Sequence, residues 1–418
     1  MKKITLTLLL LAGLSNYNYG QVNSNPGSWN WSNPLAWSGG FVPVSGEVVN
    51  IGNNSTITVD FPLTHDATIN INGGFLQSVL PANSLTLNGA DLNLIGFSSI
   101  LNFLGSGGGA TPVTINDGHL TNGGVFMSGD LTIDYNLTSG SSSNNGDFMV
   151  QGDFTITGVE TFDNNLAMNV SSQLLLGENC TWNNNQNANV GSILNDGDIV
   201  NVYAISVTDS IYNSVYGTLL SSLSTVSTGT NVINYGSYTI SDSLSVGNNF
   251  VNYGTFVNNQ GGVSIANDFY NYAAISGTLN GKFDIANYSL NDLTGSLTGD
   301  IDVCDATLAV GDHLDDDPGY MNNDFNTVDF CSISFASIDE KEGLVVRVFP
   351  NPTNNVLNIQ ADVNFTAELV DLNGAVIFGL TDENTSHMLN LSNLENGVYF
   401  LKTFTHEASS VQQIVKLD

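Results

Sequence analysis

Asn234-Tyr235-Gly236, Asn252-Tyr253-Gly254 and Asn271-Tyr272-Ala273 stand in one stretch, with Asn287-Tyr288-Ser289 as a weaker fourth copy, and their spacing decides the fold. The steps are 18, 19 and 16 residues. That period is too short for a propeller blade and suits one coil of a solenoid. A coil of this length holds about three short strands, joined by turns at which Gly and Asn reach positive φ with little strain. Stacked coils set each strand beside its copies above and below, so the repeated Asn and Tyr fall into ladders.

Working outward, segments such as Leu85-Thr86-Leu87-Asn88, Leu131-Thr132-Ile133-Asp134, Phe154-Thr155-Ile156-Thr157 and Phe283-Asp284-Ile285 alternate apolar and polar side chains. This is the period-two pattern of half-buried strands. Clean two-residue hairpins are scarce, which disfavours a run of antiparallel sandwiches. The expected fold is all-β: a right-handed parallel β-helix of roughly a dozen coils over residues 55–303. Residues 104–111 and 139–146, rich in Gly and Ser, read as exposed loops leaving the coil. Residues 21–60 concentrate tryptophan (Trp29, Trp31, Trp37) and read as a cap over the open apolar end of the stack.

Composition narrows the function. The 418-residue chain carries a formal net charge of −32, and Lys282 is the only basic residue between Ile4 and Glu340, against thirty acidic ones. Such a surface repels phosphate backbones and anionic lipid, so nucleic-acid and membrane-surface partners are excluded. Lys2 and Lys3, the apolar run Ile4 to Leu14 and a small-residue cut after Gly20 read as a signal peptide over 1–20. No apolar run is long enough for a transmembrane segment. Cys304 and Cys331 bracket a loop whose closure by a disulfide would contribute about 3–4 kcal/mol. Cys180 is then left over as a small apolar core residue, although spacing alone leaves other pairings open.

Catalytic motifs are absent. Gly105-Ser106-Gly107 before Ala110 is followed by Thr111-Pro112 and an extended segment, so it opens no helix and is no dinucleotide fingerprint. A polysaccharide lyase needs cationic groups that this chain lacks. A glycosidase needs two carboxylates about 5–10 Å apart, for which Asp196 with Asp198, or Asp130 with Asp134, are candidates, though turn-forming is the commoner role of such residues. Asp300, Asp302, Asp305, Asp312, Asp315, Asp316 and Asp317 cluster within eighteen residues. Hard oxygen ligands of this kind are what calcium selects, without the spacing of an EF-hand; a solvated acidic loop is the alternative. Tyr235, Tyr253 and Tyr272 would form a flat aromatic strip for stacking on glycans if they point outward; if they point inward they are core, which is the favoured reading.

The last eighty residues have a different grammar. Pro350 and Pro352 flank Asn351 in a turn, Asn373-Gly374 lies between two apolar runs as a hairpin, Val398-Tyr399-Phe400-Leu401 reads as a buried strand, and Ile414-Val415-Lys416-Leu417 closes the sheet. Together they read as a small Ig-like β-sandwich of about seven short strands.

Those pieces also carry a resemblance. Phe349-Pro350-Asn351-Pro352, Asp371-Leu372-Asn373-Gly374, Leu394-Glu395-Asn396-Gly397-Val398-Tyr399-Phe400 and Ile414-Val415-Lys416 resemble, in order, the type A C-terminal sorting domain of the type IX (Por) secretion system of Bacteroidetes. The acidic last residue, Asp418, departs from the more basic end common there. The resemblance implies a sorting motif of Pro350, Asn351, Pro352, Asp371, Asn373, Gly374, Gly397, Val398, Tyr399 and Lys416. It also implies partners in the type IX machinery and its sorting peptidase, and Sec-dependent export to the periplasm followed by release or attachment at the outer-membrane surface. Residues from Cys304 to Cys331 likewise resemble the closing loop of secreted repeat proteins. The expected organisation is a signal peptide (1–20), a capping segment (21–60), β-helix repeats (55–303), an Asp-rich disulfide loop and linker (304–340) and the sorting domain (341–418). The expected function is that of a secreted or surface-held structural, adhesin-like protein that engages surface glycans or other cells and is not an enzyme. The alternative is a secreted carbohydrate-active enzyme, a β-helix glycosidase ahead of a lyase.

Overall fold

The computed structural model describes residues 20–80, 82–104, 111–223, 225–307, 314–319, 322–324, 327–332, 346–371, 375–405 and 409–417. The signal-peptide stretch 1–19, Asp312, Asn373, Gly374 and the 338–343 boundary lie outside them. The chain divides into two compact units, one up to residue 333 and one from 334 onward.

The first unit is a parallel β-solenoid with three ladders. One runs from Gln21–Asn23 and Val48–Gly52 through Ile69–Asn72, Leu92–Ile95 and their successors to the strand Ser296–Asp305. A second runs from Gly27–Asn30 and Ser55–Val59 to Val328–Ser332. The third starts at Leu63–His65 and reaches Ser289–Asn291. From Leu63–His65 to Ser289–Asn291 each coil contributes one strand to each ladder, and coils stack about 4.8 Å apart, giving about twelve turns. Inward positions are apolar: Val232, Phe250 and Phe269 follow one another in register, the two Phe rings stacked at 6.0 Å. A single apolar core runs from Trp31 to Val328.

The repeat extends beyond the expected limits. Within residues 21–60, the strands Gln21–Asn23 and Gly27–Asn30 already stack in parallel on Val48–Gly52 and Ser55–Val59 of the following turn, so the segment begins the repeat. Trp31 and Trp37 are nonetheless buried at this end, edge-to-face at 4.9 Å, and Trp37 Nε1 donates to Trp31 O. With the 3-10 turn Pro34–Ala36 they occupy the first coil between its second strand and Val48–Gly52. Of the expected loop at 104–111, residues 105–110 lie outside the described residues; flanking them, Thr111 N donates to Phe103 O. The expected loop at 139–146 does not leave the coil. Residues 140–144 pair in register with 160–164, and only residues 136–139 depart from the ladder. Ser142 and Asn144 sit fully buried there because hydrogen bonds to adjacent coils satisfy them, so polar composition misled the reading.

The second unit is a five-stranded antiparallel sheet. Its strands are Val346–Phe349, Val356–Val370, Val376–Asn390, Gly397–Phe404 and Ser409–Lys416. Two of these run 15 residues with register shifts, where the sequence suggested a larger number of short strands. Leu357, Ile359, Phe365, Leu369, Leu401 and Ile414 form its own core.

Candidate functional site

The Asn of the repeat is the internal spine of the solenoid. Asn195, Asn213, Asn234, Asn252, Asn271 and Asn291 are fully buried at one strand end. Each Nδ2 donates to the Oδ1 of the next, at 2.7–2.9 Å. The remaining amide proton finds a main-chain carbonyl, as in Asn234 to Thr255 O at 3.0 Å. A second buried ladder runs Asn122, Asn144, Asn164, Asn184, Asn201 and ends on Ser221. A buried amide is tolerated only when its donors and acceptor are all used, and this geometry uses them. The alignment also corrects the fourth copy of the repeat: Asn291 continues the spine, whereas Asn287 belongs to an exposed ladder with Asn267 and Asn248. The members at 195, 213 and 291 were missed because they lack the following Tyr; Asn at a strand end once per coil was the available signal. Gly follows for a steric reason, since a Cβ on Gly254 would lie 2.2 Å from Gly236 O.

Tyr235, Tyr253 and Tyr272 point outward, which corrects the expectation of core. Tyr235 is 36% and Tyr253 43% exposed. Their rings lie 4.7 Å apart and within 11° of parallel, with Tyr212 tilted against Tyr235 at 5.5 Å. Both faces of Tyr253 are therefore covered by its neighbours, and the strip presents ring edges and hydroxyls more than free faces. Flanking it, Leu175, Leu194, Tyr212, Ile233, Val251, Tyr270 and Leu290 form one outward column in register. The first five coils of that face carry Thr64, Thr86, Thr114, Thr132 and Thr155 instead.

The acid-rich stretch is dispersed over several tasks. Asp317 Oδ1 accepts from Asn291 Nδ2, so an acceptor-only group terminates the donating amide spine. Asp302 sits beside Lys282, which pairs with Asp284 at 2.8 Å, and Asp300 is exposed. Asp305 points inward at the end of a column of Val and Ile, near Asp315 through Thr307. Among the described residues no three His, Cys, Asp or Glu side chains converge on a common ion position.

Of the candidate carboxylate pairs, Asp130 Oδ1 accepts from Asp153 N and Asp134 Oδ1 from Thr157 Oγ1, ordinary turn and ladder roles. Asp196 and Asp198 line a cleft of about 330 Å³ with Glu178, Asn179, Gly197 and the exposed Tyr216. Sequence reading also missed Glu160, which is fully buried with neither carboxylate oxygen hydrogen-bonded. Burial holds its carboxyl above the ordinary value, partly offset by Ser142 and by His119, whose Nδ1 lies 3.6 Å away. Cys180 is buried and free, its thiol pushed up by the same burial. Cys304 is disulfide-bonded, and the ladder places it directly beside Cys331.

In the tail, the Pro350–Pro352 turn, Gly397 and Lys416 lie together around the last strand. Asn351 Nδ2 donates to Gln413 O at 2.6 Å and its Oδ1 accepts from Val415 N at 2.9 Å. The Pro350–Pro352 turn is thereby fastened to the last strand. That strand pairs with Gly397–Phe404, setting Gly397 against Lys416 and Val398 against Val415. The nearly buried Lys416 ammonium reaches Leu417 O at 2.8 Å and Asn396 Oδ1 at 3.5 Å, and Tyr399 Oη donates to Glu395 O at 2.7 Å. Asp371 Oδ1 accepts from Ala375 N, while Asn373 and Gly374 lie outside the described residues.

Residues 347–417 match the family of secretion system C-terminal sorting domains. This domain marks the chain for type IX export to the cell surface or the extracellular space, and makes the type IX machinery its partner. No curated protein matches the chain.

Proposed function

We propose that the solenoid is the exported cargo and acts as a structural, adhesin-like rod at the cell surface or in the medium. The observation that carries this reading is a three-ladder stack whose buried asparagine ladders bond one coil to the next. Twelve coils give a rod of roughly 50–60 Å. Its outward columns of Thr, Asn and Tyr offer repeated hydrogen-bonding groups at one spacing, suited to neutral glycans or another cell's surface. An acidic surface with one Lys favours uncharged partners.

In this reading residues 1–20 direct passage through the inner membrane, and the sorting peptidase of the type IX system removes the tail in the region 334–345. Cys304 pairs with Cys331, whose backbone lies in register with it, and closes the last coil. A second reading, a glycosidase, is favoured by the cleft that brings Glu178, Asp196 and Asp198 beside an exposed Tyr216.

Screening the purified protein against a panel of neutral and acidic glycans separates the two. The adhesin reading expects saturable binding to one or more neutral glycans without release of reducing ends. Release of reducing ends that is lost in Asp196→Asn and Asp198→Asn would replace it with the glycosidase.

A further inference from the structure

We propose that Asp305, Thr307 and Asp315, with the main-chain carbonyl of Asn287, form a calcium site that locks the last coil of the solenoid. This goes beyond the adhesin reading and does not depend on it.

Asp305 continues an inward column in which Ile285 and Ile265 precede it, so a carboxylate stands where the two preceding coils hold hydrocarbon. The residue is 1% exposed, and its Oδ2 has no hydrogen-bond partner. A fully buried, unpartnered carboxylate oxygen is costly and calls for a compensating positive charge. No Lys, Arg or His is described beside it.

The oxygens around Thr307 point the same way. Its Oγ1 lies 2.7 Å from Asp305 Oδ1, 2.9 Å from Asn287 O and 3.2 Å from Asp315 Oδ2. One hydroxyl proton can serve only one of these three acceptors. Asp305 Oδ1 and Asp315 Oδ2 each accept one main-chain N–H besides, from Thr307 and Ser289, and a cation among these oxygens would supply the missing positive charge, with the hydroxyl oxygen itself as a further ligand. Two carboxylates, a hydroxyl and a carbonyl are hard, irregularly placed oxygens. That set suits calcium, which tolerates flexible geometry, better than magnesium, which requires a near-ideal octahedron; zinc would want nitrogen or sulfur. Asp305 forms the buried floor and the exposed Asp315 the rim by which an ion enters. Asp315 is in turn fixed to the preceding coil, its Oδ2 accepting from Ser289 N at 3.0 Å. An ion there would join residues from two successive coils and the closing segment.

The test is calorimetric titration of the chelator-stripped full chain with calcium chloride, paired with terbium luminescence sensitised by Tyr288, the neighbour of Ser289. The expected result is one saturable site per chain, weakened at least tenfold by Asp305→Asn and by Asp315→Asn and unchanged by Asp196→Asn. Calcium should raise the thermal midpoint of the wild type and leave that of Asp305→Asn unmoved. Weak, non-saturable uptake over the acidic surface that neither variant alters would overturn the proposal, as would a stoichiometric site that both variants retain. Should Asp305→Asn fail to fold, the exposed Asp315→Asn decides the outcome alone.

Discussion

The solenoid and the tail are both built of β-strands, yet they solve the same problem in opposite ways. The solenoid is parallel, takes its register from a repeat, and buries amides that bond to their own copies in adjacent coils. The tail is antiparallel, has no repeat, and takes its register from single side chains such as Asn351 and Lys416, each holding a different turn. A defect in the first should spread along the stack. A defect in the second should stay where it is made.

The largest expected effect lies in the spine. Asn252→Ala removes the side-chain acceptor of the Asn234 amide and the side-chain donor to Asn271 Oδ1, both in a site closed to water. We expect a loss of about 2–4 kcal/mol, read as a lower denaturation midpoint of the solenoid, with faster amide exchange in the coils on either side. An effect confined to the mutated coil would break the comparison. Asn351→Ala removes two hydrogen bonds to the last strand and should cost the tail about 1–2 kcal/mol while the solenoid transition stays in place.

Glu160 sharpens the contrast through pH. Its folded-state carboxyl is held above the ordinary 4.5 by burial, with His119, Ser142 and Cys180 around it. A group shifted upward contributes stability that is full below the unfolded value and is lost as pH rises through the folded one. Glu160→Gln should therefore stabilise the solenoid at neutral pH, with the gain shrinking to nothing below about pH 4.5; a gain that grows on acidification would be the wrong sign. The smallest effect belongs to Tyr238, whose buried hydroxyl has no partner. Tyr238→Phe should raise the stability of the solenoid by up to about 1 kcal/mol, measured by chemical denaturation.

What was legible in the sequence follows the same division. The 18- and 19-residue steps revealed the coil, because a parallel stack forces near-identical residues into register. The tail was legible from short motifs, since Asn351, Tyr399 and Lys416 each hold a named turn. The outward direction of Tyr253 was not legible. In a strand, direction follows parity, and Tyr253 lies just past a strand end, where a turn resets it. Ser142 and Glu160 were read as surface or passed over, because their burial depends on partners distant in sequence, Leu120 and His119, that composition does not display. The cleft at Asp196 and Asp198 was found as a pair, but Glu178 and Tyr216 join it only through stacking of neighbouring coils.

The central claim is that the two units are separable, the tail an address and the solenoid its cargo. Fractionation of cells producing either the full chain or a chain ending at residue 333 tests it most directly. The account predicts the full chain's cargo at the cell surface or in the medium, and the shortened chain folded but retained in the periplasm. Undiminished export of the shortened chain would contradict it.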